Sequence, residues 1–155
     1  MIPTEHFEQA KSDLIQTYKE QLCVPSMDAI EKASSIEELI SIVNTYGVLQ
    51  HYKQIPNTEW VRKWFGEYAD ELKEYGVYLD CYGSLVDPPV KNIILYGDSS
   101  MSLIANKPCI YNVIMHDSTK LSICASGVSV VKVRKLSESK ANIINKDRTA
   151  KIKIQ

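Results

Sequence analysis

The sequence predicts an α+β protein in which a small N-terminal helical domain precedes a C-terminal β-solenoid built from short repeats. Apolar residues in the first part recur at spacings of three and four, as on the buried side of a helix. From Val90 onward the spacing changes to two, which is typical of strands. The last sixty residues divide into six blocks of ten that resemble one another. A short fixed period indicates a stacked repeat architecture.

The first helix is expected to begin at Thr4, which is placed to cap it, and to run toward Leu22. Pro25 interrupts this helix, because proline cannot continue one. A short helical segment is then expected from Met27 to Ala33.

Two further N-terminal signals locate the remaining helices. Ser35 and Glu38 form a capping box that opens a third helix. Asn57 or Thr58 caps a fourth helix, which ends near Gly76, a natural left-handed stop. The apolar side of the third helix is Ile36, Leu39, Ile40, Val43 and Tyr46, and that of the fourth is Trp60, Val61, Trp64, Phe65, Tyr68 and Leu72. The aromatic stripe of the fourth helix is expected in the core of a helical domain over residues 1–76, with a partner groove as the alternative.

Residues 77–90 are expected to form a junction between the two parts. Val77–Leu79 resembles a short strand, but Gly83 and the Asp87-Pro88-Pro89 run are turn or linker signals. The solenoid is then predicted over residues 91–155.

The six ten-residue blocks begin at Tyr96 and agree at two places. The fourth place is small and polar, or a thiol: Ser99, Cys109, Thr119, Ser129, Ser139 and Thr149. The eighth place is Leu103, Val113, Ile123, Val133 and Ile143, with Lys153 in the last block. Turn-forming residues occupy the first half of each block, and alternating apolar residues occupy the second half. The pattern is therefore strand, turn, strand, turn.

Two folds fit this pattern. In a β-solenoid, two blocks make one coil of about twenty residues, and three coils stack with strands about 4.8 Å apart. In an antiparallel β meander, hairpins join the same strands. The constant block length favours the solenoid, because stacking demands coils of equal length while hairpins tolerate varied loops.

Tyr96-Gly97-Asp98-Ser99-Ser100 and His116-Asp117-Ser118-Thr119-Lys120-Leu121 carry a resemblance to known repeats. With them, residues 96–155 resemble the short-period β-solenoid repeats of uncharacterised proteins from bacteria and their phages. Those repeats run as Gly/Asp-Ser-x-x-Val-x-Val/Ala units, often behind a small helical region. The resemblance implies a scaffold or interaction role in a phage or prophage setting, and it transfers no catalytic residue.

The net charge of -1 conceals a division along the chain. Residues 1–90 carry 7 Lys and Arg against 15 Asp and Glu, whereas residues 91–155 carry 11 against 4. The distribution of charge, more than its sum, therefore indicates partners.

Composition and termini bound the setting of the protein. No apolar run reaches the roughly 18 residues that a membrane helix needs, and the polar N-terminus does not resemble a signal peptide. The four cysteines form no CxxC pair, so reduced thiols are expected. The sequence predicts a cytoplasmic protein, or one in a phage particle, with no membrane contact and no secretion by a signal peptide.

We expect no enzyme, no cofactor and no metal site. Consecutive strand residues point to opposite sides, so His116, Asp117 and Ser118 cannot converge as a hydrolase triad. Cys109 and Cys124 occupy different places from His116 in their blocks, so stacking would not align them as metal ligands.

Recurring aspartates are expected to serve the turns. Asp98, Asp117 and Asp147 lie among turn formers, where their side chains can bond the local backbone. An enzyme of the β-helix type is the remaining alternative. Its sign would be a cleft lined by two or more of Asp98, Asp117 and His116.

The apolar residues at the ninth places of the blocks are the basis for the predicted function. Ile104, Ile114 and Ile144 point away from the eighth places and are expected to form an exposed apolar ladder. We therefore expect a non-catalytic structural or protein-interaction module that forms a homo-oligomer, as a dimer or trimer. The helical domain is the expected place for any second protein partner.

The alternative function is nucleic-acid association through the basic C-terminal half. The candidate anion contacts are Lys132, Arg134, Lys135, Lys146, Arg148, Lys151 and Lys153. Lysine and arginine give phosphate contacts that do not depend on base sequence. The competing explanation is that the last lysines discourage end-to-end pairing of strand edges.

Overall fold

A computed structural model describes residues 1–45 and 54–155. Tyr46, expected on the third helix, and His51 lie outside the described residues. The chain separates into two compact units, Met1–Glu71 and Leu72–Gln155. We call them the helical unit and the solenoid unit.

The helical unit confirms the predicted helices, with altered bounds. The helices are α1 (Thr4–Tyr18), α2 (Val24–Lys32), α3 (Ile36–Thr45), α4 (Thr58–Phe65) and, across the boundary between the units, α5 (Ala69–Lys73), with a 3₁₀ turn at Gly66–Tyr68. Pro25 lies in the first turn of α2, where the missing N–H costs no hydrogen bond. The fourth predicted helix is interrupted at the 3₁₀ turn.

Three predicted helix signals have different outcomes. Thr4 does not cap α1, whose N-cap is Pro3 without a side-chain bond. The N–H of Glu38 donates to Ser35 Oγ at 3.2 Å, but Glu38 Oε2 accepts from the N–H of Ser34 and not from that of Ser35. Asn57 caps α4 as predicted, accepting from the N–H of Trp60 at 2.9 Å.

Two polar clamps join the helices of this unit. Asp13 Oδ2 on α1 accepts from the indole N–H groups of Trp60 at 3.0 Å and Trp64 at 2.7 Å. Lys11, which is buried, donates from Nζ to the carbonyl oxygens of Ala33 at 2.6 Å and Glu31 at 3.1 Å. A cation at the C-terminal end of α2 also complements the helix dipole. In the aromatic stripe of the fourth predicted helix, Trp60, Val61 and Phe65 are buried, and Trp64 and Tyr68 are half-buried.

The solenoid unit consists of parallel strands only, which confirms the β-solenoid and excludes the antiparallel meander. The strands are β1 (Val77–Leu79), β2 (Tyr82–Val86), β3 (Asn92–Tyr96), β4 (Ser100–Ala105), β5 (Ile110–Met115), β6 (Lys120–Ala125), β7 (Val130–Lys135), β8 (Lys140–Lys146) and β9 (Lys151–Ile154). Odd strands form sheet A, in the order β1-β3-β5-β7-β9, and even strands form sheet B, in the order β2-β4-β6-β8. Each coil therefore contributes one strand to each sheet.

The predicted junction at 77–90 is instead part of the first coil. β1 pairs with β3 and β2 pairs with β4, so the stack has about four coils rather than three. The following coils repeat at twenty residues, as where Met101 pairs with Leu121, and the last repeats at twenty-one, where Val130 pairs with Lys151. The first coil is shorter, because Tyr82 pairs with Ser100 only eighteen residues later. This difference conceals the first coil from a search for blocks of ten.

The interior of the solenoid is filled from the sixth, eighth and tenth places of the blocks. Its largest fully buried side chains are Ile93, Leu95, Leu103, Tyr111, Met115, Leu121 and Ile123. These inward places alternate with outward ones along β4, β5 and β6, as a parallel sheet covered on one face requires.

The chain passes from one sheet to the other through tight turns, which we call corners. The polar fourth places lie at these corners. Ser99, Thr119 and Ser139 are buried, and each hydroxyl donates to the carbonyl oxygen three residues earlier, at 2.7 to 2.9 Å. The second places Gly97, Asp117, Gly127 and Ser137 have positive φ, so the chain turns through a left-handed residue at each of these corners. A short hydrogen-bonding side chain satisfies a buried corner that a larger residue would not fit.

Candidate interaction surfaces

The outward fifth, seventh and ninth places form two faces, one on each sheet. Parallel register stacks residues of equal place directly above one another, with strands about 4.8 Å apart, as far as Ile143. Beyond the bulge that follows, the places shift by one, so that Lys153, an eighth place, pairs with Lys132, a seventh place, and faces outward. Each face is therefore a set of columns that run across the strands.

The outer face of sheet B carries an apolar column of three residues in register, and its fourth register position is the polar Asn145. Val86 pairs with Ile104, and Ile104 pairs with Cys124. A β-bulge after Ile123 inserts Ile144 before the next paired residue, Asn145. Val86 is 60% exposed and Ile144 is 65% exposed, while the two central residues are half-buried. We call Val86, Ile104, Cys124 and Ile144 the apolar ladder.

The predicted ladder of ninth places is therefore corrected. Ile104 and Ile144 share sheet B, but Ile114 lies on β5 in sheet A, between Ile94 and Arg134. Successive blocks alternate between the sheets. Outward residues ten apart therefore lie on the outer faces of different sheets, and outward residues twenty apart lie on the same face. The alignment of ten-residue blocks within the chain does not include Val86, because the first coil is shorter than the later ones.

The rest of the sheet B face is polar apart from Tyr82, which is 76% exposed. One column is Ser84, Ser102, Ser122 and Asn142, and the next is Tyr82, Ser100, Lys120 and Lys140. The apolar ladder thus lies on one side of this face, and the lysines lie on the other.

The outer face of sheet A becomes cationic over β7 and β9. Asn112 pairs with Lys132, which pairs with Lys153. Val130 pairs with Lys151, and Arg134 follows Ile114 in its column. We call Lys132, Arg134, Lys151 and Lys153 the cationic patch.

The other three predicted anion contacts lie outside this patch. Lys135 and Lys146 end strands at places that Met115 and Ala125 occupy one coil earlier, inside the core. Arg148 lies in the corner before β9. The seven residues therefore do not form one surface, and four of them share a face.

The candidate catalytic residues serve the corners. His116 is buried and stacks on the Tyr96 ring, with the centroids 4.3 Å apart. Asp117 Oδ2 accepts from the N–H of Gly97 at 2.9 Å, and the N–H of Asp98 donates to Asp80 Oδ1 at 2.8 Å. Each aspartate side chain that accepts such a bond joins its own corner to the corner of a neighbouring coil.

Asp147 has the same role at the opposite corner. Its carboxylate accepts from the hydroxyl and N–H of Thr149, and from the N–H groups of Ala150 and Gly127. These bonds, led by that of the Thr149 hydroxyl, hold the pKa of Asp147 below its usual range.

A tyrosine and a lysine form a contact that the sequence did not indicate. The fully buried Tyr111 donates its hydroxyl to the carbonyl oxygen of Pro88 at 3.1 Å, and Lys91 Nζ lies 3.3 Å from the same hydroxyl. Burial raises the pKa of the Tyr111 phenol well above its usual range, and Cys109 raises it further. The phenol therefore stays protonated and fixes the corner before β3, which is a structural role.

Within the described ranges, 1–45 and 54–155, no group of three His, Cys, Asp or Glu side chains is arranged so that it could hold a metal ion. Cys124 lies in the apolar ladder, whereas Cys109 packs against the solenoid core and His116 is buried in a corner.

In comparisons with known proteins, no family model, no curated protein and no solved structure matches this chain. Among the helices that the structure describes, none is long and apolar enough to cross a membrane.

Proposed function

We propose that this protein is a non-catalytic structural or interaction module that forms a homo-oligomer through the outer face of sheet B. The apolar ladder is the observation that carries this proposal. Two of its members, Val86 and Ile144, are more than half exposed in the single chain. Exposed apolar side chains that are grouped on one face favour association with another surface.

A second copy is the occupant that the face itself suggests. The ladder runs along one side of the face, with serines beside it and Lys120 and Lys140 beyond them. In a two-fold arrangement, two ladders can pack together while the lysine columns of the two copies stay on opposite sides of the contact. The lysines then remain in solvent and do not face each other.

The size of the face limits the strength of this contact. Four strands about 4.8 Å apart and about 18 Å long give roughly 350 Å² in projection for each copy. Standard specific interfaces bury about 800 Å² on each partner. We therefore expect weak self-association that depends on protein concentration, with a dimer forming first.

The remaining parts of the proposal follow from the resemblance and the composition. A scaffold role in a phage or prophage setting, in the cytoplasm or in a phage particle, fits a protein that assembles from identical copies. The helical unit, which contributes no residue to the sheet B face, is the part proposed to bind a second protein.

Light scattering over a wide concentration range tests the assembly. The wild-type chain is expected to rise from 17.6 kDa toward twice that mass. Val86→Lys and Ile104→Lys should each keep the chain monomeric, because each puts a charge into an apolar contact. Circular dichroism should show intact folding, and Val86 is exposed enough to tolerate the change.

Ile114→Lys is the matched control. Ile114 has the same place in its block and is half-buried like Ile104, but it lies on sheet A. Its variant should associate like the wild type. A wild-type monomer at every concentration would overturn the assembly, and equal loss in both isoleucine variants would overturn its location.

The alternative function, nucleic-acid association through the basic C-terminal half, uses the other sheet. It is favoured by the grouping of four cations on one face of β7 and β9.

A further inference from the structure

We propose that the cationic patch on sheet A binds the phosphate backbone of double-stranded nucleic acid, without reading its sequence. This inference makes the alternative function specific in residues and in ligand. It is independent of self-assembly, because the patch and the apolar ladder lie on different sheets.

The patch has a sharp boundary. All three outward columns of sheet A are neutral up to β5, where they hold Ile110, Asn112 and Ile114. They become cationic at Lys151, Lys132 and Arg134. No Asp or Glu occurs in any described strand of sheet A, so no acid on these strands offsets the charge.

Like charges stack on both sheets, Lys132 with Lys153 and Lys120 with Lys140, and on sheet A the further cations Lys151 and Arg134 lie on the same outer face as the stacked pair. Lys132 and Lys153 are direct register partners, with their strands about 4.8 Å apart. Like charges in that position oppose pairing of the strands. The ion pairs that are described lie in the helical unit and include none of the four cations. A row of phosphates bound across β7 and β9 would offset this repulsion.

The composition of the patch favours nucleic acid over an acidic protein. The centre of a protein interface is depleted of lysine and enriched in large apolar and aromatic residues. Here the centre holds Lys132 and Lys153, which are the residue type that contacts phosphates. The aromatic residues of sheet A, Tyr78, Tyr96 and Tyr111, are all buried. Single-stranded sites use exposed aromatics for base stacking, so their absence from these strands favours a duplex.

The number of contacts sets the expected behaviour. Four phosphate contacts give a slope of about −3.6 in a plot of log affinity against log salt. Affinity should therefore fall about a hundredfold between 50 and 200 mM salt, starting from a micromolar dissociation constant.

The test is a salt titration of binding to a short DNA duplex of mixed sequence, followed by fluorescence anisotropy. For Lys132→Gln/Lys153→Gln we expect at least tenfold weaker binding at low salt and a slope reduced by about two. Lys120→Gln/Lys140→Gln is the matched control, since this pair is also exposed and in register but lies on sheet B. The control should bind like the wild type.

Three results would overturn the inference. They are equal loss in both double variants, equal or tighter binding of the corresponding single strand, and displacement of the duplex by poly-glutamate at equal charge concentration. The mass of Lys132→Gln/Lys153→Gln is expected to match that of the wild type at each concentration. A failure of duplex binding with that mass retained is thus distinct from a failure of assembly.

Discussion

The helical unit and the solenoid unit are stabilised by different kinds of polar contact. In the helical unit each contact occurs once: Asp13 joins two tryptophans, and Lys11 binds the end of α2. In the solenoid unit one contact recurs from coil to coil, as in the hydroxyls of Ser99, Thr119 and Ser139.

This difference teaches where each unit is sensitive to substitution. A repeated contact spreads stability over many equivalent sites, and loss of one leaves its neighbours in place. A single clamp concentrates its contribution in one side chain. Its loss also leaves several groups without their hydrogen-bond partner, which costs more than the bond itself contributes.

The largest effect is expected for Asp13→Ala. It removes the acceptor of both indole N–H groups, and we expect a loss of about 2 kcal/mol in the free energy of unfolding. Both tryptophans of the chain, Trp60 and Trp64, lie in the helical unit, so tryptophan fluorescence during urea unfolding reports on this unit alone.

Two variants calibrate that result. Asp28→Ala makes the same change at an exposed site on α2 and should stay within about 0.5 kcal/mol of the wild type. Ser139→Ala in the solenoid unit should cost about 1 kcal/mol and leave the fluorescence transition in place. The proposed contrast fails if Asp13→Ala unfolds at the urea concentration of Asp28→Ala.

Substitutions at two adjacent corner residues are expected to change the stability of the solenoid unit by an intermediate amount and in opposite directions. Gly127 and Val128 have φ angles of 62° and 64°. A positive φ of this size strains the backbone of a β-branched residue such as valine. Val128→Gly should stabilise the solenoid unit by about 1 kcal/mol, because relief of strain exceeds the added chain entropy. Gly127→Ala should destabilise it, since the new Cβ would lie 1.9 Å from the carbonyl oxygen of Asn106. Thermal unfolding by circular dichroism checks both signs, and a shift in the same direction for both would contradict the strain argument.

The smallest effect is expected from acid, at Asp147. Its pKa is lower in the folded state than in the unfolded chain, so its contribution is present above about pH 4 and is lost as the pH falls through the folded value. Asp147→Asn should therefore be less stable than the wild type at pH 7, and the difference should shrink toward pH 2. Urea unfolding of both proteins across this range measures the difference. A gap that is constant with pH would show that the carboxylate charge is not involved.

The repeat was predictable from local sequence, because side chains in a strand alternate in direction every two residues and equivalent positions in neighbouring coils lie about twenty residues apart. The alternation at Met101 and Leu103 identified inward places, and the structure buries both. The first coil was not predictable in this way. Its shorter length removes the period, and only pairing of β1 and β2 with later strands reveals it.

The candidate surfaces show the same limit. Ile104 and Ile144 were predicted as outward residues, and both lie on strands of sheet B. Their separation from Ile114 depends on which sheet each block joins, and a period of ten does not record that. The helical clamp of Asp13 was also hidden, because its two partners lie 47 and 51 residues away.

The sequence by itself determined the class of the fold, the inward and outward places of the strands and the residues that turn the corners. These properties depend on neighbours within a few residues, where side-chain periodicity and backbone sterics act. Only the tertiary structure decided that blocks alternate between two sheets, that Val86 and Cys124 complete the apolar ladder, and that four of seven basic residues share a face. Those properties depend on strand register across twenty residues, which is set by packing of the whole stack.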